Sequence, residues 1–285
     1  MSTQTSNDRS VARYFILLFG LCIPVWAIGP LYDIELFPGF KLFQAGLAMP
    51  MIAALILTYC ELGWSGTVAL LRRSFDAQQI SPKIWFLPIL LVYPSIGFIN
   101  YWVLWLFGVD IPPPTYSLVI LLGYCTVFFL ACAEELGLSG YALDRLQRRY
   151  SALVTGLILG VVWAGYHIPG FLISGYYSTG WIFWHAVFTV VTRVLFVWVY
   201  NNSGRSLFAM ALFHWTFGLF WMLWPQDNLQ KAVPFYSPLI AAMVAMLYVI
   251  IVVYIWRPKT LAQSRFKQAK MTPDAFLSAN TNHGK

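Results

Sequence analysis

Apolar and polar positions alternate along this chain in long blocks, not in the short periods of strands. Eight mostly apolar stretches of spanning length occur at about 13–31, 42–61, 84–107, 116–136, 152–174, 181–200, 206–224 and 236–256. About 20 apolar residues suffice for a helix to cross a bilayer core, and these runs are too long and too uniformly apolar for strands. The pattern predicts an all-α, polytopic membrane bundle of about eight transmembrane helices. Residues 1–12 form a polar N-terminal tail without the shape of a signal peptide, 13–256 a single helical domain, and 257–285 a polar, basic tail. That tail lacks sustained periodicity and is expected to be disordered or to lie on the anionic leaflet. No internal repeat or low-complexity segment interrupts the pattern. Pro88, Pro94 and Pro169 fall inside apolar runs, where kinks are expected.

The connecting segments give an orientation. Arg9 and Arg13, then Arg72, Arg73 and Lys83, then Arg145, Arg148 and Arg149, then Arg205, and finally Arg257, Lys259, Arg265, Lys267 and Lys270 fall on one side of an eight-span chain. The alternate loops carry Asp33, Glu35, Asp110 and Asp227, with Lys41 and Lys231 as their bases. The positive-inside rule therefore puts both termini in the cytoplasm. Composition agrees: 59% of residues are hydrophobic, 10% are charged against about 25% in soluble domains, and mean hydropathy is +0.67. The net charge of +7 is accounted for by these loops and the tail, so it does not indicate nucleic-acid binding. Cys22, Cys60, Cys125 and Cys132 lie in or at the ends of apolar segments with no CxxC pair, and read as small buried hydrophobes.

Against this apolar background the stretch Ala133-Glu134-Glu135-Leu136-Gly137-Leu138-Ser139-Gly140-Tyr141 stands out. A carboxylate at membrane depth costs a few kcal/mol and is retained where function uses it. Successive helical residues diverge by about 100°, so one glutamate at most aims at a given reacting atom and the other must turn to a neighbouring helix. The bland alternative is that the pair sits among headgroups and ends the span. His167, in Trp163-Ala164-Gly165-Tyr166-His167-Ile168-Pro169, shares a helix face with Trp163, and Gly165 would admit a neighbouring helix. His214 lies in Leu212-Phe213-His214-Trp215-Thr216-Phe217-Gly218. Either histidine alone reads equally well as a packed imidazole bonded to one carbonyl; two of them with two glutamates, on three spans, point to a site. Arg193 sits mid-span and should pair with a carboxylate or a carbonyl. His185 opens the sixth span and reads as interfacial, and Asn100 as a helix-packing group.

Carboxylate and imidazole converging in a wet intramembrane site activate water, with a second histidine polarising a carbonyl or holding its oxyanion. Alternatively Glu134, His167 and His214 ligate a divalent, zinc-like metal bearing the water. Spacing does not choose between these routes. Depth sets a condition. At about 1.5 Å per residue His214 lies about 12 Å, and His167 about 24 Å, from the cytoplasmic starts of their spans, with Glu134 near the inner end of its own. The groups meet only if span four runs on toward Arg145, with a bend permitted at Gly137 and Gly140, and span five starts outside the bilayer or tilts.

The motifs Glu-Glu with Gly-x-x-Gly-Tyr-x-Leu-x-x-Leu, aromatic-x-x-x-His-x-Pro, and Gly-x-Ser-Leu-x-x-x-x-x-x-His resemble the CPBP (Abi) family, the type II CAAX prenyl endopeptidase-like intramembrane proteases. The resemblance covers Cys132 to Gly218 within a core of about 116–224. It implies an intramembrane endopeptidase in which Glu134 activates water with His167, Glu135 supports, and His214 binds metal or stabilises the oxyanion. The implied partners are a membrane-associated peptide or protein, prenylated in some relatives, and the lipid bilayer, with no nucleic acid. The implied location is a cell membrane, by default a bacterial plasma membrane. Two positions depart from the family pattern: Ser139 stands where Glu-Glu-x-x-x-Arg has arginine, and Gly218 where His-x-x-x-Asn/Asp has an amide or acid. They leave open a slow enzyme, or a non-catalytic relative that binds membrane peptides or confers self-immunity to a bacteriocin. A proton-coupled transporter is a third reading, because Glu and His in apolar helices also build proton relays. Arg193 is the candidate to supply the charge missing at position 139.

Overall fold

The computed structural model describes residues 2–32, 34–37, 40–111, 118–223 and 236–262. They form an all-α bundle with helices α1 (Ser2–Tyr32), α2 (Met49–Arg73), α3 (Phe86–Leu106), α4 (Leu118–Glu135), α5 (Asp144–Gln147), α6 (Ala152–Ser174), α7 (Thr179–Asn202), α8 (Leu207–Leu223) and α9 (Pro238–Trp256). Among the described residues seven helices are long and apolar enough to cross a membrane. The eighth expected span, 206–224, is α8, whose 17 residues run up to the limit of the described segment. Asp227, Lys231 and residues 263–285, with Arg265, Lys267 and Lys270, lie outside the described residues, as does Asp33.

Several expectations are corrected. Helix α1 begins at Ser2, so most of the polar N-terminal stretch is helical and not a separate tail. The first loop contains a two-stranded antiparallel ribbon, Glu35–Phe37 with Phe40–Lys41, which no long apolar run would announce. Helix α3 continues through Pro94 and α6 through Pro169, each proline removing a single backbone donor. A break that the prolines do not announce falls in α2 at Gly63, whose φ of +66° is a conformation open to glycine. Cys22 and Cys132 are buried, but Cys60 and Cys125 lie on outward faces where an apolar thiol meets lipid as readily as protein.

Helix α7 is the axis of the bundle. Every residue from Thr192 to Tyr200 is buried, as expected of a helix apolar on all sides. It packs along α6 and α9, while α8 packs against α3 and α4. Gly156 and Gly160 set the α6–α7 approach: a Cβ on Gly160 would stand 2.6 Å from the Val190 carbonyl oxygen, and one on Gly156 would stand 2.9 Å from Val194 Cα. Gly165 is not the close-approach position, since a Cβ there would make only ordinary contact with Phe19 at 3.6 Å.

The start of α6 is also fixed. Ser151 caps it by accepting from the Val154 amide, and the Ala152 and Leu153 amides donate to the carbonyls of Lys259 and Pro258. Asn201 and Asn202 hold the same strap through the carbonyls of Thr260 and Leu261. The start of the basic tail is thus tied to the bundle as far as Leu261. Asn100 serves packing, as expected, by exchanging hydrogen bonds with Ser237 at the start of α9.

Span four runs on as the depth argument requires. After Glu135 the helix widens into a π-helical segment, Leu136–Leu143, and continues into α5, so the whole apolar helix extends from Leu122 to Gln147. Glu134 then lies about 20 Å from that end and His167 about 22 Å from the start of α6, at 1.5 Å per residue. Gly137 contributes contact, not a bend: a Cβ there would collide with the Tyr14 hydroxyl at 2.1 Å and the Pro50 carbonyl at 2.4 Å. We expect Gly160→Leu to force α6 from α7 and lower stability by at least about 1–3 kcal/mol, the usual penalty of overpacking. Gly170→Ala, with open space around it, should be neutral; thermal unfolding in detergent checks both.

Candidate active site

Glu134 and Glu135 close α4 and diverge as neighbours on a helix must. Glu134 turns to α6. The Trp163 indole donates to Glu134 Oε2 at 2.7 Å, and the Tyr166 hydroxyl donates to the same oxygen. His167 Nε2 faces the other oxygen, Oε1, at 3.8 Å. Trp163, Tyr166 and His167 stand at i, i+3 and i+4, so one face of α6 supplies all three.

The His167 tautomer follows from its second contact. Nδ1 lies 2.9 Å from the Trp163 carbonyl oxygen, which can only accept. Nδ1 therefore carries a hydrogen, and in the neutral imidazole Nε2 presents a lone pair. A carboxylate oxygen and an imine nitrogen, both acceptors, thus face each other across 3.8 Å. The group that satisfies both carries two donor hydrogens, as a water molecule does.

Glu135 turns to α7 and α8 and is fully buried. Arg193 grips it with a fork, Nη1 to Oε1 at 2.7 Å and Nη2 to Oε2 at 2.9 Å. Ser139 Oγ donates to Oε2 at 2.5 Å and accepts from Arg193 Nη2 at 3.0 Å. His214 Nδ1 donates to Oε1 at 3.0 Å, which leaves Nε2 as its free edge. Trp163 joins the two halves. Its indole donates to Glu134 while its ring packs against His214 at 5.1 Å between centroids. The guanidinium of Arg193 lies 5.2 Å from the Trp163 ring centroid and 4.5 Å from that of Phe196.

The structure therefore brings Glu134, Glu135, His167, His214, Arg193, Trp163 and Ser139 together. Gly218 faces elsewhere: a Cβ there would meet Val127 at 3.1 Å and Tyr124 at 3.5 Å on α4. It lies on a seam closed by the Tyr124 hydroxyl on the Trp215 carbonyl and the Trp215 indole on the Tyr124 carbonyl. His185, six residues past the start of α7, is buried within the bundle, stacked on Trp181 at 4.6 Å and edge-on to Phe171 as rings from α6 and α7 close over it.

Two groups escape a reading of the sequence. Tyr166 is masked by its apolar ring; its place three residues after Trp163 is the signal that would find it. Glu61 on α2 accepts from Tyr141 at 2.6 Å and Arg145 at 2.6 Å, tying the far end of the extended span to α2. Its signal was a charge at the edge of an apolar run. Among the described residues no group of three His, Cys, Asp or Glu side chains is placed to hold a metal ion. The trio Glu134, His167 and His214 is therefore not placed as a three-ligand centre in this arrangement.

Comparison with known proteins follows this geometry. Residues 116–220, which carry both glutamates and both histidines, match the family model described as type II CAAX prenyl endopeptidase Rce1-like. CAAX prenyl protease 2 of Methanococcus maripaludis is 25% identical over 150 residues, 49% of this chain and 52% of that protein. The chain thus spans about half the length of the curated relative it matches. The CPBP-type resemblance of the motifs holds across the matched stretch, in a multi-pass membrane bundle whose matched family is one of proteases.

Trp163→Phe keeps the ring but removes one donor to a buried carboxylate. A hydrogen bond to a charged group contributes about 1.5–3 kcal/mol, so thermal or denaturant unfolding should show a loss of that order. An unchanged midpoint would mean that the indole does not bond Glu134.

Proposed function

We propose that this protein is an intramembrane endopeptidase of the CAAX-protease type, and that Glu134 and His167 activate its hydrolytic water. The observation that carries the reading is the approach of Glu134 Oε1 and His167 Nε2 across 3.8 Å with their other polar atoms already bonded. A water held between them gives up a proton to Glu134 as its oxygen adds to the scissile carbonyl. The proton then passes to the leaving amine as the C–N bond breaks, yielding a carboxylate and an amine. His214, held as the Nδ1–H form by Glu135, turns a free Nε2 edge to the oxyanion and donates to it once that nitrogen has taken up a proton. No step is routed through a metal, since among the described residues no three His, Cys, Asp or Glu side chains are placed to hold one.

The substrate is a membrane-tethered peptide, and a prenylated CAAX segment, named in the description of the matching family, is the first to try. The basic loops support the cytoplasm as the side of access, and a bacterial plasma membrane is the default location. A peptide-binding or self-immunity protein is the second reading. It is favoured by Ser139 and Gly218, which stand where the family motifs carry an arginine and an amide or acid.

Purified protein should cleave a fluorogenic membrane-tethered peptide, and Glu134→Ala and His167→Ala should each lower the rate by about a hundredfold or more while remaining folded. Binding without cleavage by the unaltered protein would favour the second reading. Cleavage should also persist in excess chelator. A rate abolished by chelation and restored by zinc would replace the water bridge with a metal-bound water.

A further inference from the structure

Arg193 is the largest fully buried side chain of the bundle, and it lies in the helix buried on every side. Both of its Nη atoms are spent on Glu135, one of them shared with Ser139, while its Nε has no hydrogen-bond partner. The guanidinium is therefore aimed at Glu135 and Ser139 alone. As a stabilising device this is a poor choice, since a buried ion pair replaced by apolar residues of similar volume is often neutral or better. What apolar packing cannot supply is an ionised carboxylate in the bundle interior. Without a cation beside it, Glu135 would take up a proton rather than remain charged there. A neutral acid is a weaker acceptor for His214 Nδ1–H, and that hydrogen bond decides which His214 nitrogen carries the hydrogen and which edge is free.

We propose that Arg193 and Ser139 are positioning residues that act on His214 through Glu135, and that together they do from α7 what an arginine at position 139 would do from α4. Arg193 Nη2 lies 3.0 Å from Ser139 Oγ, so a longer side chain grown from Ser139 would enter the volume that the guanidinium now fills. Ser139 completes the arrangement by accepting from the cation and donating to the carboxylate. The kinetic part of this inference rests on the peptidase reading. The part concerning the His214 tautomer does not.

The test compares Glu135→Met/Arg193→Met, which removes both charges together, with Ser139→Arg/Arg193→Met, which moves the cation to α4. Cleavage of the fluorogenic peptide is read with nitrogen-15 histidine NMR, the His214 signal being assigned by its loss in His214→Phe. The charge-free pair should fold with a melting temperature near the parent. Its kcat should fall about tenfold or more with KM nearly unchanged, the pattern of an interaction made only in the transition state. Its His214 signal should leave the Nδ1–H form. Moving the cation should restore the signal and most of kcat. A charge-free pair that keeps the parent kcat and His214 signal would make the ion pair merely structural and overturn the proposal. So would a folded Ser139→Arg/Arg193→Met variant as slow as the charge-free pair. If the parent cleaves nothing, the peptidase reading fails while the NMR comparison still decides the tautomer. If the moved-cation variant does not fold, the charge-free pair decides alone.

Discussion

The fork of Arg193 on Glu135 is the interaction on which the remaining structure turns. Two adjacent carboxylates in an apolar bundle set a severe constraint, because each needs donors and a single helix face cannot supply both. The solution is a division. Glu135 is closed off on all sides by Arg193, Ser139 and His214, whereas Glu134 is anchored at one oxygen by Trp163 and Tyr166 and keeps the other toward His167. Identical side chains one residue apart thereby acquire different chemistry: one fixes an imidazole, and the other has a free oxygen opposite a base.

The scaffold serves that division. The π-helical turns after Glu135 carry Ser139 back onto the carboxylate and extend the span toward Arg145. Wide turns of this kind are rare and tend to occur at functional sites. Tyr14 and Pro50 press on Gly137 from α1 and the start of α2, and Glu61 holds Tyr141 and Arg145, so the widened segment is gripped from outside. The close α6–α7 contact at Gly156 and Gly160 brings the face bearing Trp163 against the helix bearing Arg193.

Much of this was legible in the residues. Runs of apolar positions define the spans, and the scarcity of intramembrane charge points to Glu134, Glu135, His167, His214 and Arg193. The need for those groups to meet required the extension of span four. What was hidden follows from physics that a linear pattern does not encode. Tyr166 reads as apolar until its hydroxyl finds a carboxylate. His185 looks interfacial by position along the chain, but rings from two helices enclose it. Gly165 and Gly160 are equally small, and only the packing shows which one touches a backbone. No proline announces the break in α2, where the helix dihedrals fail at Gly63 because positive φ is available there.

The central claim is that Arg193 keeps Glu135 as a carboxylate inside the bundle. Infrared difference spectroscopy of the parent against Glu135→Gln tests it without reference to activity. The account predicts that the substitution removes carboxylate stretching bands and leaves the protonated-acid region unchanged. Loss of a protonated-acid band instead would show Glu135 to be neutral and would contradict it.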